Sequence, residues 1–381
     1  MTAARCHHPR SAVERLYLPR DKGGRGLLSV EELHDRVYTG FAAYLNTSSS
    51  RFLKCVVEHN LHKWRGTHLK SAVTILSRYG IESEISDKGA IIIDGTEQKG
   101  YKLGQLIKSR AAEQRRLRLR DKQLHSQIWE VIDTQEADRG TWQWLKDWRI
   151  GSDVEASLLA IQDGIVWTGN YQKAVAKVRG VNDVCRLCGE PKETLSHLLA
   201  SCKSLLGTVI KSRHDDCARV IYYTVAKQLG LLPTVVRWWD RSAVQHVLEN
   251  EEWKMLWDHP FRTDRTLEFT RPDIVIENTR THEGWIVEIG VCLDFNLKAK
   301  MAEKKSKYVP LAIELCKLRG WTRWKTIAVV VGATGTFPSK LTSEVCKLPH
   351  TSEGDVVKIL QDVQHAVIYS AVNIVRNVVK D

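Results

Sequence analysis

The sequence predicts an α+β protein: a helical N-terminal and linker region, a small zinc knuckle, and a mixed-sheet α/β domain at the C-terminus. Three observations carry that expectation. Apolar residues recur at helical spacing through much of the first half. The run Cys185-x2-Cys188-x8-His197-x4-Cys202 has the spacing of a four-ligand metal site, and strand-like apolar runs flank a basic helix after residue 270.

At 381 residues the chain can form two or three compact units. Its 43% hydrophobic share and thirteen Trp are those of a folded protein rather than a disordered one. The net charge of +12 is concentrated: residues 102–122 hold eight Lys or Arg against Glu113 and Asp121, and residues 295–319 hold seven against two acids. Such patches favour a polyanion, most often nucleic acid. Of nine cysteines, three sit in the metal-like cluster and six (Cys6, Cys55, Cys217, Cys292, Cys316, Cys346) are scattered, which points to a reducing compartment rather than a disulfide framework. Arg5, Arg10 and Arg15 precede no apolar signal segment, and the longest apolar run, around Ile327–Val331, is far shorter than a membrane span. The expected location is the nucleus or the cytosol, with no membrane partner.

Residues 1–30 read as a basic loop with a turn at Asp21–Gly26, after which Ser29-x-x-Glu32 caps a helix to about residue 45. Residues 69–80 read as helix and Ala90–Asp94 as a short strand. Leu103–Val131 reads as one long basic helix in which Leu106, Leu117, Leu124 and Ile128 are the apolar positions; Arg115, Arg116, Arg118 and Arg120 on it are candidates for nucleic-acid contact. Trp142, Leu145 and Trp148 at helical spacing belong to a core, and Ser152-x-x-Glu155 caps the next helix. Residues 218–257 read as helix ending near His259-Pro260. Strands follow at Ile274–Glu277, Trp285–Leu293 and Thr326–Val331, with a long helix from about 296 to 319 between the last two, and Gly332–Gly335 is a plain turn.

The Cys-x2-Cys turn lets two thiolates seize one ion, and His197 with Cys202 supplies the other two ligands from a helical turn or its end. Four ligands make a closed, structural zinc site, with His214 and Cys217 as nearby substitutes. A second cluster suits phosphodiester hydrolysis, which needs a hard divalent cation held by carboxylates and a cationic side chain beside it. Asp273 opens a strand, the turn at His282–Gly284 reverses the chain, and Glu288 lies in the next strand, so a hairpin brings both to one edge as magnesium ligands. The simplest pattern places a lysine two residues after the second acid, where this chain has Gly290. Lys300, Lys304, Lys307 and Tyr308 on the following helix share a face and offer substitutes.

The order of these motifs resembles the C-terminal region of non-LTR retrotransposon polyproteins that carry a restriction-like endonuclease of the PD-(D/E)xK type. The likeness runs over most of the chain. It comprises Glu14–Leu27, which is similar to the stretch trailing the reverse transcriptase thumb, then Thr141-Trp142-Gln143-Trp144-Leu145, the Cys-Cys-His-Cys knuckle and Arg213-His214-Asp215. Thr263–Thr266, Arg271-Pro272-Asp273-Ile274-Val275, Glu303–Tyr308 and Ile327–Gly335 continue it. The resemblance implies a thumb-trailing segment at 1–60, a basic helical linker at 61–180, the knuckle at 181–217, a restriction-endonuclease-like domain at 218–345 and a C-terminal helix at 346–381. It implies DNA nicking with Asp273 and Glu288 as magnesium ligands and Lys304 or Lys307 as catalytic lysine. Arg213 and His214 would then belong to a linker gripping template or target. Element RNA would be a further partner. The paired aspartates of a polymerase palm have no counterpart here, so a polymerase region is expected upstream in a longer polyprotein. The competing expectation is a zinc-containing nucleic-acid-binding remnant without catalysis, and the two part on whether Asp273, Glu288 and a lysine converge.

Overall fold

A computed structural model describes residues 7–379 apart from 65–66, 88, 233, 235 and 241–243, and the side chains of 60–64 and 67 are likewise not described. Arg5 and Cys6 lie outside the described residues. The chain is α+β and divides into two compact units, Ala12–Gln123 and the remainder.

The smaller unit holds helices α1 (Glu14–Tyr17), α2 (Val30–Thr47), α3 (Arg51–Trp64) and α4 (Thr67–Arg78), a three-stranded antiparallel meander β1 (Glu84–Ile85), β2 (Ile91–Ile93), β3 (Thr96–Glu97), and helix α5 (Gly100–Arg120). Ser29 caps α2 as its sequence requires, accepting from the Glu32 backbone N–H at 3.3 Å. Ala42, Leu69, Leu76, Ile91, Leu103 and Ile107 form its core. Helices α2 and α5 approach so closely that a Cβ on Gly100 would collide with the carbonyl of Gly40.

The larger unit continues with α6 (Gln127–Thr134), a 3-10 segment at Arg139–Lys146, α7 (Ser152–Gln162), the knuckle region with α8 (Lys203–Leu205), and the long helix α9 (Lys211–Gln228). Strands β4 (Val247–Glu249), β5 (Trp253–Trp257), β6 (Ile274–Asn278) and β7 (Glu283–Cys292) form an antiparallel run. Helices α10 (Leu297–Lys307) and α11 (Val309–Arg319) cross over to β8 (Arg323–Gly332), which pairs parallel with β7. The mixed sheet has the order β4-β5-β6-β7-β8, and α12 (Leu341–Val345) and α13 (Glu353–Val378) end the chain. Alternation along β7 decides the layers. Val287 and Ile289 face a core shared with α9 and α13, whereas Ile286 packs with Leu311 and Leu315 of α11 on the other side.

Five expectations are corrected. The long basic helix stops at Arg120, with Asp121 and a 3-10 closure from Lys122 to Leu119, and α6 begins afresh at Gln127. Residues 218–257 are not one helix: Gly230, at φ +68°, ends α9, and Trp253–Trp257 is a strand. Pro310, near the start of α11, splits the 296–319 helix at Tyr308 because it offers no N–H to the turn before it. Gly151, not Ser152, is the cap of α7, and Trp148 is 90% exposed while Trp142 and Trp144 are buried.

None of the eight described cysteines is in a disulfide. No helix among the described residues is long and apolar enough to cross a membrane.

Candidate metal and carboxylate centres

The four knuckle residues converge. Sγ of Cys185, Cys188 and Cys202 and a ring nitrogen of His197 lie within 4.8 Å of one another, with Cys188 Sγ 3.3 Å from His197 Nε2. The local chain explains why. Gly189, at φ +74°, closes the Cys-x2-Cys turn with its N–H on the Cys185 carbonyl, and His197–Ser201 form one wide helical turn that Cys202 terminates. Buried Glu193 ties the loop down, accepting from Arg186 and from the Gly169 backbone. Three soft sulfurs and one imidazole at this spacing can hold a metal such as zinc. Burial pushes the Cys202 thiol up to about 11, so a bound cation has to drive its ionisation. The suggested substitutes are not available to this cluster: Cys217 is in the core of the sheet domain, and His214 is engaged elsewhere.

The carboxylates meet by register. Ile274 pairs with Val287, so Asp273, one residue earlier, faces Glu288 across the β6–β7 ladder. Asp273 N–H donates to Glu288 Oε1 at 3.0 Å, and Ile289 N–H donates to Asp273 Oδ2 at 2.8 Å. From α10, Lys304 Nζ reaches Glu288 Oε2 at 2.6 Å and Asp273 Oδ2 at 3.8 Å. Lys307 Nζ lies 3.8 Å from Glu288 Oε2 and sits over the rings of Phe269 and Tyr308. Lys304 passes over Gly290: a Cβ there would stand in ordinary contact with Lys304 Cε, at 3.7 Å, and tighter against Val330, at 3.3 Å. The lysine absent from the strand is thus supplied by the helix, over bare backbone.

His214 is the residue that spacing misplaced. Near the start of α9, it brings Nε2 to 3.3 Å from Asp273 Oδ2, while Nδ1 faces Asp215 at 3.2 Å. Burial works to lower its pKa, but the hydrogen bonds to Asp215 and Asp273 win and raise it to about 9. Asp273 is driven up by burial, yet the His214 and Lys304 contacts hold it below its ordinary value. Glu288, fully buried and beside the Asp273 charge, is raised. The two neighbouring carboxyls are thus pushed in opposite directions, Asp273 toward the ionised form and Glu288 toward the neutral one. The Asp273 contacts to His214, Lys304 and Ile289 all fall on Oδ2 of this 20%-exposed side chain.

Arg213, expected to grip template or target, is buried. It is 1% exposed, with Nη2 on the Leu199 carbonyl at 2.8 Å. On α5, Arg115 spends its charge on Glu32 at 2.7 Å and Arg116 on Glu113 at 2.9 Å; Arg118 is exposed and Arg120 half-buried. No protein-family model matches the chain, and no curated protein matches it.

Proposed function

We propose that the larger unit is a magnesium-dependent DNA endonuclease on a restriction-endonuclease-like fold, its knuckle held by zinc. The observation that carries this is the convergence of Asp273, Glu288 and Lys304, with the ammonium 2.6 Å from one acid and 3.8 Å from the other. A mixed sheet whose central hairpin bears both acids, with a helix laying a lysine across them, suits attack of water on a phosphodiester. Asp273 and Glu288 would hold the cation, which when bound neutralises phosphate charge and lowers the pKa of water. Lys304 would orient the attacking water and balance the growing negative charge. The site lies beside a basic helix, which favours backbone contacts with strong salt dependence.

The retrotransposon resemblance adds a context to this reading: nicking of target DNA in the nucleus to prime reverse transcription, element RNA as a further partner, and a polymerase region upstream. It rests on motif order alone.

The test is nicking of supercoiled plasmid in magnesium by the wild-type chain and by Asp273→Ala. Loss of nicking with DNA binding retained supports the centre, and a variant that still nicks rejects it. A second reading, a nucleic-acid-binding remnant without catalysis, draws on Glu288: it is fully buried and both its oxygens already have protein partners. A folded, DNA-binding wild type that never nicks in magnesium or manganese selects it.

A further inference from the structure

Helix α2 of the smaller unit reverses the usual amphipathic arrangement. Its buried residues are Asp35, Thr39, Ala42 and Ala43, small or polar, whereas Val30, Leu33, Val37, Phe41 and Tyr44 are exposed. Val30 is 83% exposed, Val37 62% and Tyr44 55%. Along α2, Val30, Leu33, Val37, Gly40 and Tyr44 alternate steps of three and four residues. That alternation is a heptad seam, the pattern on which one helix receives another. Apolar side chains scattered singly need no explanation, but a contiguous row of them marks an interaction surface.

The seam borders a groove of about 750 Å³ between α2 and the start of α5, and Tyr101, 69% exposed, gives it a second wall. Its floor is bare backbone: Gly40, Gly100 and Gly104 all line it. Leu33 and Arg36 also line a recess of about 130 Å³ toward Leu28, so the groove continues along α2. From Val30 to Tyr44 the helix rises about 21 Å, which is room for two heptads of a partner.

Charge narrows the occupant. Among the described residues that line the groove and its recess, Arg36, Lys99, Lys108 and Arg115 stand against Glu97 and Glu32, and Glu32 is held by Arg115 at 2.7 Å. A second copy of this chain would bring the same cations to the seam. Single-stranded nucleic acid stacks on aromatic rings, whereas Val30, Leu33 and Val37 are aliphatic. We propose that the groove receives an amphipathic helix of another protein, with an aliphatic seam and acidic flanks. The proposal concerns the smaller unit alone and does not rest on the nuclease reading.

The experiment measures, by fluorescence anisotropy, binding of labelled synthetic helices of about 21 residues to the full chain. One peptide has Leu at a and d and Glu at e and g, so that its own like charges keep it from pairing with itself. A second has Lys at e and g, and a third keeps Glu there but has Ser at a and d. The expected result is a Kd of about 10 μM or tighter for the first and binding about tenfold weaker, or worse, for the other two. Val37→Glu and Tyr101→Ala, both at exposed positions, should each cost the first peptide about tenfold. Lys99→Glu combined with Lys108→Glu should reverse the preference between the first two peptides; melting curves check that the variants fold. Equal binding of all three peptides, binding of none, or affinity that no variant moves overturns the proposal. A wild type that is dimeric by sedimentation and monomeric as Val37→Glu assigns the face to a second copy. An oligothymidylate that binds the wild type but not Tyr101→Ala makes the groove a nucleic-acid platform. Either result overturns the proposal as well.

Discussion

Lys304 Nζ lies 2.6 Å from Glu288 Oε2, and its aliphatic stem reaches that carboxylate across the bare backbone of Gly290. A cation that a strand lysine would present two residues after the acid is delivered from helix α10 instead. Position 290 and the helix lysine face the same side of the strand: a Cβ at 290 would stand in ordinary contact with Lys304 Cε, at 3.7 Å.

That shared side of the strand predicts an exchange. Lys304→Ala should reduce plasmid nicking by about 100-fold or more. It should also lower stability by about 3 kcal/mol in urea unfolding, because an acid with 1% side-chain exposure loses its nearest partner. Adding Gly290→Lys to that variant should restore a measurable part of both. A double variant as inactive as the single one would show that the two routes are not equivalent.

Metal content gives the next prediction. Purified chain should contain about one zinc, and Cys202→Ser should lose it and melt at lower temperature, since the ligand site ties down the loop between 185 and 202. Because burial holds the Cys202 thiol up at about 11, zinc uptake must release protons and apparent affinity must rise with pH. Zinc titrations at two pH values, read with a competing chelator, check this. Metal-free chain with unchanged melting would count against a zinc-held knuckle.

Acid sensitivity should trace in part to Asp147. Burial pushes this carboxyl up, but hydrogen bonds from Arg149 outweigh it and leave it depressed; Arg149 also reaches Asp362 at 2.6 Å. A depressed folded-state pKa stabilises fully above the unfolded value of roughly 3.9, and that stability disappears as pH falls through the lower, folded value. Arg149→Met should therefore lower the melting temperature at pH 6 and flatten its decline toward pH 2. Parallel curves for the two proteins would sink the assignment.

Helix α13 offers a control away from both centres. Ser352 Oγ accepts from the Asp355 N–H at 3.2 Å, and Asp355 Oδ2 accepts from the Ser352 N–H at 3.0 Å, which closes a capping box. Ser352→Ala should cost about 1 kcal/mol in denaturant unfolding and leave nicking and zinc content unchanged.

Local chemistry was legible where it is self-contained. The Ser29 cap, the Gly332–Gly335 turn and the knuckle spacing each depend on residues close in sequence, and all three are present. Helix continuity was less legible. Trp253, Leu256 and Trp257 satisfy helical spacing as well as they do a strand, and only pairing with Ile274–Asn278 settles them. Pro310 is a breaker that the sequence displays between α10 and α11, although the apolar and basic periodicity runs on across it. His214 could not have been placed: its partner Asp273 belongs to a different element, and nothing in the Arg-His-Asp run specifies that approach.

By itself the sequence determined which residues stand at matching intervals: three thiols and an imidazole at metal-binding spacing, two acids on a hairpin, and a lysine-rich helix after them. These follow from side-chain type and short-range geometry, which the chain encodes directly. Tertiary structure alone decided which lysine reaches the acids, that Arg213 is buried while His214 joins Asp273, and that one chain carries two strands where periodicity suggested helix. Those outcomes depend on how the sheet and helices pack, because contacts between distant segments form only when burial of both faces of the sheet fixes their register and orientation.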